Sequence, residues 1–172
     1  MDSTEKERFP QARAQRAKEL FLAGANCAQA VAGAFADLCG ADEKTLFRIA
    51  SGFGGGVGRL REVCGAVSGM TLIADVLYAS DDITDKAAKD AQYARVRSLA
   101  EKFRAAAGSI VCRELLHLPE GRVEGTVSDV RDAHYYQKRP CLETVALAAE
   151  ILAGFIAENP PPRDGGKTVA DL

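Results

Sequence analysis

The chain has 172 residues, enough for one domain with a true core, and 47% hydrophobic with 27% charged residues is the balance of a water-soluble globular protein. A formal net charge of −2 leaves no basic footprint, so nucleic acid is not an expected partner. The apolar stretches near residues 64–79 and 141–157 are interrupted by Asp75 and Glu150, and the start MDSTEKERF has no apolar core, so neither membrane insertion nor a signal peptide is expected and the cytoplasm is the expected compartment.

Helical periodicity dominates and no β alternation stands out. Phe9, Ala12, Ala17, Leu20 and Phe21 predict a first helix that stops near Gly24. Asn26 is a good N-cap for a second, CAQAVAGAFADL, ending at Gly40. Asp42 caps a short third, EKTLFRIA, and a glycine-rich bend follows. The fourth, CGAVSGMTLIADVLYA, is apolar on nearly all sides and belongs in the centre of the fold; Asp75 within it is a candidate buried carboxylate. Thr84 can cap a long fifth helix reaching Ala107, with Ile83, Ala87, Ala91, Ala94 and Phe103 inward and Gly108 closing it. Ser109 can cap a sixth, IVCRELLHL, residues 119–138 read as irregular, and Pro140 opens a seventh, CLETVALAAEILAGFIA. The expected fold is an all-α, single-domain bundle of about five to seven helices over residues 1–157, with a flexible Pro/Gly-rich tail at 158–172.

Five cysteines are dispersed along the chain: Cys27, Cys39, Cys64, Cys112 and Cys141. No pair has CxxC spacing, which argues against a zinc ribbon, a thioredoxin-type motif and CxxCH haem attachment. Four of them, all but Cys39, fall in the first turn of a predicted helix. A helix N-terminus carries partial positive charge and unpaired N–H groups, and both favour the thiolate, the nucleophilic and metal-binding form of cysteine. Cys39 sits at a helix end, where the dipole disfavours thiolate. Arg59, Arg61, Arg113 and Arg139 flank three of the four and can stabilise thiolates, receive an anion or simply face solvent. His117 and His134 are isolated candidates for proton carriers or metal ligands.

The run GFGGGVG is not a nucleotide loop. A GxGxxG spacing would need glycine where Val57 or Arg59 stands, and no Gly-Lys-Ser/Thr follows. Its expected role is positive-φ backbone and close approach beside Cys64, with an oxyanion or sulfur ligand on its N–H groups as a further option.

The segments GANCAQAV, FGGGVGRLREVCGAVSG, GSIVCREL and RPCLETV, in that order, resemble the redox-active proteins named for a C…CGAxxG…C…C pattern. The resemblance spans roughly residues 15–157. It implies four characteristic cysteines with a redox role and says little about substrate. The arrangement is also similar to a domain of split-Soret cytochromes, which implies that an iron–sulfur cluster is an option; haem is not, because CxxCH sites are lacking.

Three functions compete. The first is thiol–disulfide or electron-transfer chemistry of an oxidoreductase-like kind, with Cys64 as central nucleophile and Cys27 or Cys112 resolving. The second is a four-thiolate site for a thiophilic metal ion or iron–sulfur cluster on Cys27, Cys64, Cys112 and Cys141. The third is a non-catalytic helical interaction module. A redox partner or a homo-oligomer fits the first two readings, and whether the four helix starts meet in space decides among the three.

Overall fold

A computed structural model describes residues 3–122 and 124–162. Among them the fold is all-α, with eight helices: α1 Ser3–Leu22, α2 Cys27–Gly33, α3 Glu43–Ala50, α4 Gly65–Tyr78, α5 Lys86–Ala107, α6 Cys112–Leu115, α7 Ala133–Lys138 and α8 Cys141–Glu158. No described helix is long and apolar enough to cross a membrane.

The core combines many small and aliphatic residues with three fully buried phenylalanines, Phe21, Phe35 and Phe103. Ala28, Ala30, Val31 and Ala32 of α2, Ala66, Met70 and Ile73 of α4, and Ala148, Ala149 and Leu152 of α8 are all fully buried. α1 lies along α8, and α2 packs between α1 and α4. The close α2–α4 approach depends on glycine: a β-carbon at Gly69 would stand 2.6 Å from the carbonyl oxygen of Ala28. As the apolar pattern predicts, α4 is central, but only through Ala74; Asp75 and Val76 are exposed, and Asp75 accepts a 2.5 Å hydrogen bond from Gln92.

Several local expectations are corrected. The second helix is not continuous to Leu38. It ends at Gly33, and a separate 3-10 turn covers Ala36–Leu38. The reason is Arg13 of α1, which donates to the Ala34 carbonyl at 2.7 Å and pairs with Asp37, so that carbonyl leaves the helical ladder. Asp85, not Thr84, caps α5, accepting from the Ala88 N–H at 2.9 Å, while Thr84 bonds back to Asp82. Of the residues expected to face inward Phe103 does so, but over the rest of α5 the inward face differs from that expected. Gln92, Leu99 and Phe103 are buried, whereas Ile83, Ala87, Ala91 and Ala94 are exposed. Alanine marks no face by itself, because it suits either side of a helix. Helix α6 is one turn long, entered through Val111, with His117 in left-handed backbone just beyond it. The segment 119–138, read as irregular, contains α7, capped by Asp132. Within the segment read as a flexible tail, Glu158 still belongs to α8, and residues 163–172 lie outside the described residues.

Candidate functional site

Four of the eight helices begin at a cysteine or directly after one. Cys27, Cys112 and Cys141 are the first residues of α2, α6 and α8, and Cys64 is the N-cap of α4 rather than a member of its first turn. All four starts converge. Cys27, Cys64, Cys112 and Cys141 line one cavity of about 280 Å³. Cys39 is buried elsewhere in the core, its thiol pushed up to about 12 by burial and by Asp37.

Local sequence explains how each cysteine is delivered. Asn26 and Gln29 form a reciprocal capping box that fixes the entry to α2, and Asn26 also donates to the Ser51 carbonyl at 2.9 Å, tying that entry to the glycine bend. The bend itself is left-handed through five consecutive residues, Gly55 to Arg59, and again at Arg61. Three of those five are glycines, which accept this backbone without penalty; Val57, Arg59 and Arg61 do not, at about 1–2 kcal/mol each. The N–H groups of residues 57–62 are all given to carbonyls of residues 52–57 within the bend, so these six are not free to hold a ligand. The bend folds back so closely that a β-carbon at Gly56 would sit 2.6 Å from Cβ of Cys112.

An isolated antiparallel bridge, Val63 to Val111, then pins α4 against α6. The Cys64 N–H donates to the Ile110 carbonyl at 2.8 Å and the Cys112 N–H to Glu62 at 2.6 Å. On the other side, Gly65 leaves room for Cβ of Cys27 at 3.0 Å from where its own β-carbon would be. Pro140 supplies the N-cap of α8 rather than its first turn, and Cys141 follows.

A polar strap, residues 124–132, closes the cavity. Glu124 lies between Arg59 and Arg61, its side chain nearly buried, with 2.8 Å from Arg61 Nε and 3.1 Å from Arg59. Asp129 bridges Arg59 at 3.0 Å and Arg139 at 2.9 Å. Arg131 donates to the carbonyls of Phe21 and Ala25 at 2.8 and 2.9 Å, and its guanidinium lies 4.4 Å from the centroid of the Phe21 ring. Sequence reasoning singles out Arg59, Arg61 and Arg139 but misses Glu124, Asp129, Arg131 and Tyr135, which also borders the cavity. The alternation of acids and arginines across residues 122–139 is the signal that could have found them. Arg113, by contrast, pairs with Glu62 at 2.5 Å outside the cavity; His117 borders a separate groove beside α8, and His134 is exposed.

The four thiols are electrostatically unequal. Cys141 is lowered to about 7, first by a hydrogen bond from Cys27 and then, against burial, by the charges of Arg139, Arg61 and Arg131. Cys27 is pushed well up, by that same hydrogen bond and by burial. Burial drives Cys64 up to about 12, although the N–H groups of Ala66 and Val67 favour its thiolate. Burial also raises Cys112, partly opposed by Arg61, whose Nη1 stands 3.9 Å from the sulfur. Of the four only Cys141 is lowered, and by Cys27 and the arginines rather than by its helix start, so the expectation that each helix start lowers its thiol is not met. At Cys64 desolvation outweighs the helix N-terminus.

The fold and the cavity define a class: an all-α bundle that gathers four cysteines from four helix starts. Residues 25–155 match the family model described as "Putative redox-active protein (C_GCAxxG_C_C)", and the chain belongs to that family. Its own spelling of the central motif is Cys64-Gly65-Ala66-x-x-Gly69. No curated protein and no solved structure matches the chain.

Proposed function

We propose that the cavity is a dithiol–disulfide redox site in which Cys141 attacks and Cys27 resolves. The observation that carries this reading is that Cys27 and Cys141, the first residues of α2 and α8, border one cavity with Arg61, Arg131 and Arg139, whose charges favour a thiolate at Cys141. The Cys141 thiolate attacks a substrate disulfide, forms a mixed disulfide and expels one substrate thiolate, which takes a proton from water. The Cys27 sulfur, losing its proton, then attacks the Cys141 sulfur and releases the second substrate thiol. Two electrons pass to the substrate, and one Cys27–Cys141 disulfide forms; an external dithiol returns the protein to its reduced form. Such a cycle suits a reducing compartment such as the cytoplasm. Cys64 and Cys112, both protonated, pack around the pair.

This reading replaces Cys64 by Cys141 as nucleophile. The four-thiolate metal or iron–sulfur reading has suitable donors. Yet among the described residues no three His, Cys, Asp or Glu side chains are grouped so as to hold a metal ion, so coordination would require the sulfurs to move.

Redox titration followed by peptide mapping tests the proposal. The expected result is a Cys27–Cys141 disulfide that appears over one two-electron transition. A protein purified without oxygen that carries stoichiometric metal and shields all four thiols from alkylation would overturn it.

A further inference from the structure

The cavity carries more positive charge than its own acids neutralise. Arg59, Arg61, Arg131 and Arg139 line it. Against them stand two carboxylates, Glu124 and Asp129, and Glu124 is also paired with Arg122 at 3.4 Å. Arg131 bonds main-chain carbonyls, and among the described residues no carboxylate pairs with it. A Cys141 thiolate offsets one further charge and still leaves an excess. This occurs on a chain of net charge −2, so the field is local to the cavity and is focused by its low-dielectric walls.

The remaining lining is polar as well as charged. Thr126 and Ser128 of the strap add hydroxyl groups to the lining. At about 280 Å³ the space lies near the low end of small-molecule pockets, which run from about 300 Å³ upward, and is too small for a folded protein surface.

We infer, resting on the dithiol reading, that the substrate is the disulfide of a low-molecular-weight thiol bearing carboxylate groups, drawn in by the net positive charge of Arg59, Arg61, Arg131 and Arg139 while Cys141 attacks its sulfur. The sulfur–sulfur bond of the substrate breaks, a Cys141–substrate disulfide forms, and the departing thiolate leaves next to the same arginines. Their charges thus act on the substrate carboxylates and on the leaving group alike. A cationic disulfide meets repulsion between its ammonium groups and these arginines.

The test uses the full reduced chain and three probes: the disulfides of mercaptopropionate (anionic), mercaptoethanol (neutral) and cysteamine (cationic). Mixed-disulfide formation at Cys141 is followed by rapid acid quench and mass spectrometry. Each rate is divided by that of the same chain unfolded in urea, which removes differences in intrinsic reactivity. The anionic probe is expected to exceed the neutral one by about tenfold at low salt, with the cationic probe slowest. Raising ionic strength from about 20 to about 300 mM should shrink that ratio several-fold. Arg59→Gln should lower it at low salt, and Arg113→Gln, outside the cavity, should not. If Arg59→Gln fails to fold, the salt dependence of the wild type still decides. An anionic probe no faster than the neutral one, with all three reacting at Cys141, overturns the charge selection and leaves the dithiol reading standing. No reaction at Cys141 with any probe overturns both.

Discussion

Cys27 and Cys141 act on each other's titration, Cys27 favouring the thiolate at Cys141. The charges of Arg139, Arg61 and Arg131 favour that thiolate as well. Cys27→Ala should raise the pH midpoint of Cys141 alkylation by iodoacetamide by about one unit, read from peptide masses. An unchanged midpoint near 7 would show that the arginines alone set it. The same shift acts on stability. A thiol whose folded pKa lies below its unfolded value contributes stability that is present above the unfolded pKa, about 8.5, and lost as pH falls through the folded value. The stability gap between wild type and Cys141→Ser should therefore widen by about 1–2 kcal/mol as pH rises from 7 to 9 under reducing conditions, measured by urea unfolding. Cys64 has the opposite sign: its raised pKa contributes below the unfolded value and is lost toward pH 12.

At the scale of the element, glycine placement sets how near the helix starts come. Gly69 of α4 faces the Ala28 carbonyl, an unyielding backbone atom 2.6 Å from the position of an added β-carbon. Gly69→Ala should cost about 1–3 kcal/mol by pushing α2 and α4 apart. Gly154, inside α8, has nothing within 4 Å of such a carbon. Gly154→Ala should stabilise by about 0.5–1 kcal/mol through helix propensity alone. Urea unfolding of the two variants checks both signs; equal effects would mean that packing between α2 and α4 is looser than these contacts require. The α5 face shows the converse case, since alanines at 87, 91 and 94 lie in solvent while Gln92 is buried on the face opposed to α4. Residue size matters at a contact only once the fold has chosen the contact.

For the whole molecule, the pairing of Cys27 with Cys141 joins the start of α2 to the start of α8 across more than a hundred residues. A disulfide there removes much loop entropy from the unfolded chain, with an upper value of about 4–5 kcal/mol for so long a loop. Oxidation should raise the urea midpoint markedly, and Cys141→Ser should abolish the rise. An oxidised protein no more resistant than the reduced one would mean that closing the bond strains the native packing. The strap belongs to this scale too. Glu124 and Asp129 reach residues about 65 positions earlier in the chain, and Arg131 reaches back to Phe21 and Ala25, so the cavity is closed by contacts that no local segment contains.

Much of this is legible in the sequence. Helical periodicity, the caps Asn26 and Asp42 and the terminator Gly108 mark the helices because capping and ladder formation are local, within four residues. For the same reason the placement of four cysteines at helix starts can be read from the order of residues alone. The bridge Val63–Val111, the strap and the turn of α5 cannot, because each depends on partners distant in sequence. Nor can the proposed choice of Cys141 as nucleophile. A helix N-terminus is a local property shared by all four cysteines, whereas burial, the Cys27 hydrogen bond and the arginines that face Cys141 exist only when the chain has folded. Sequence determined which thiols stand at positive helix ends; tertiary structure decided that they meet and that their surroundings differ, since desolvation and ion pairing act through space and not along the chain.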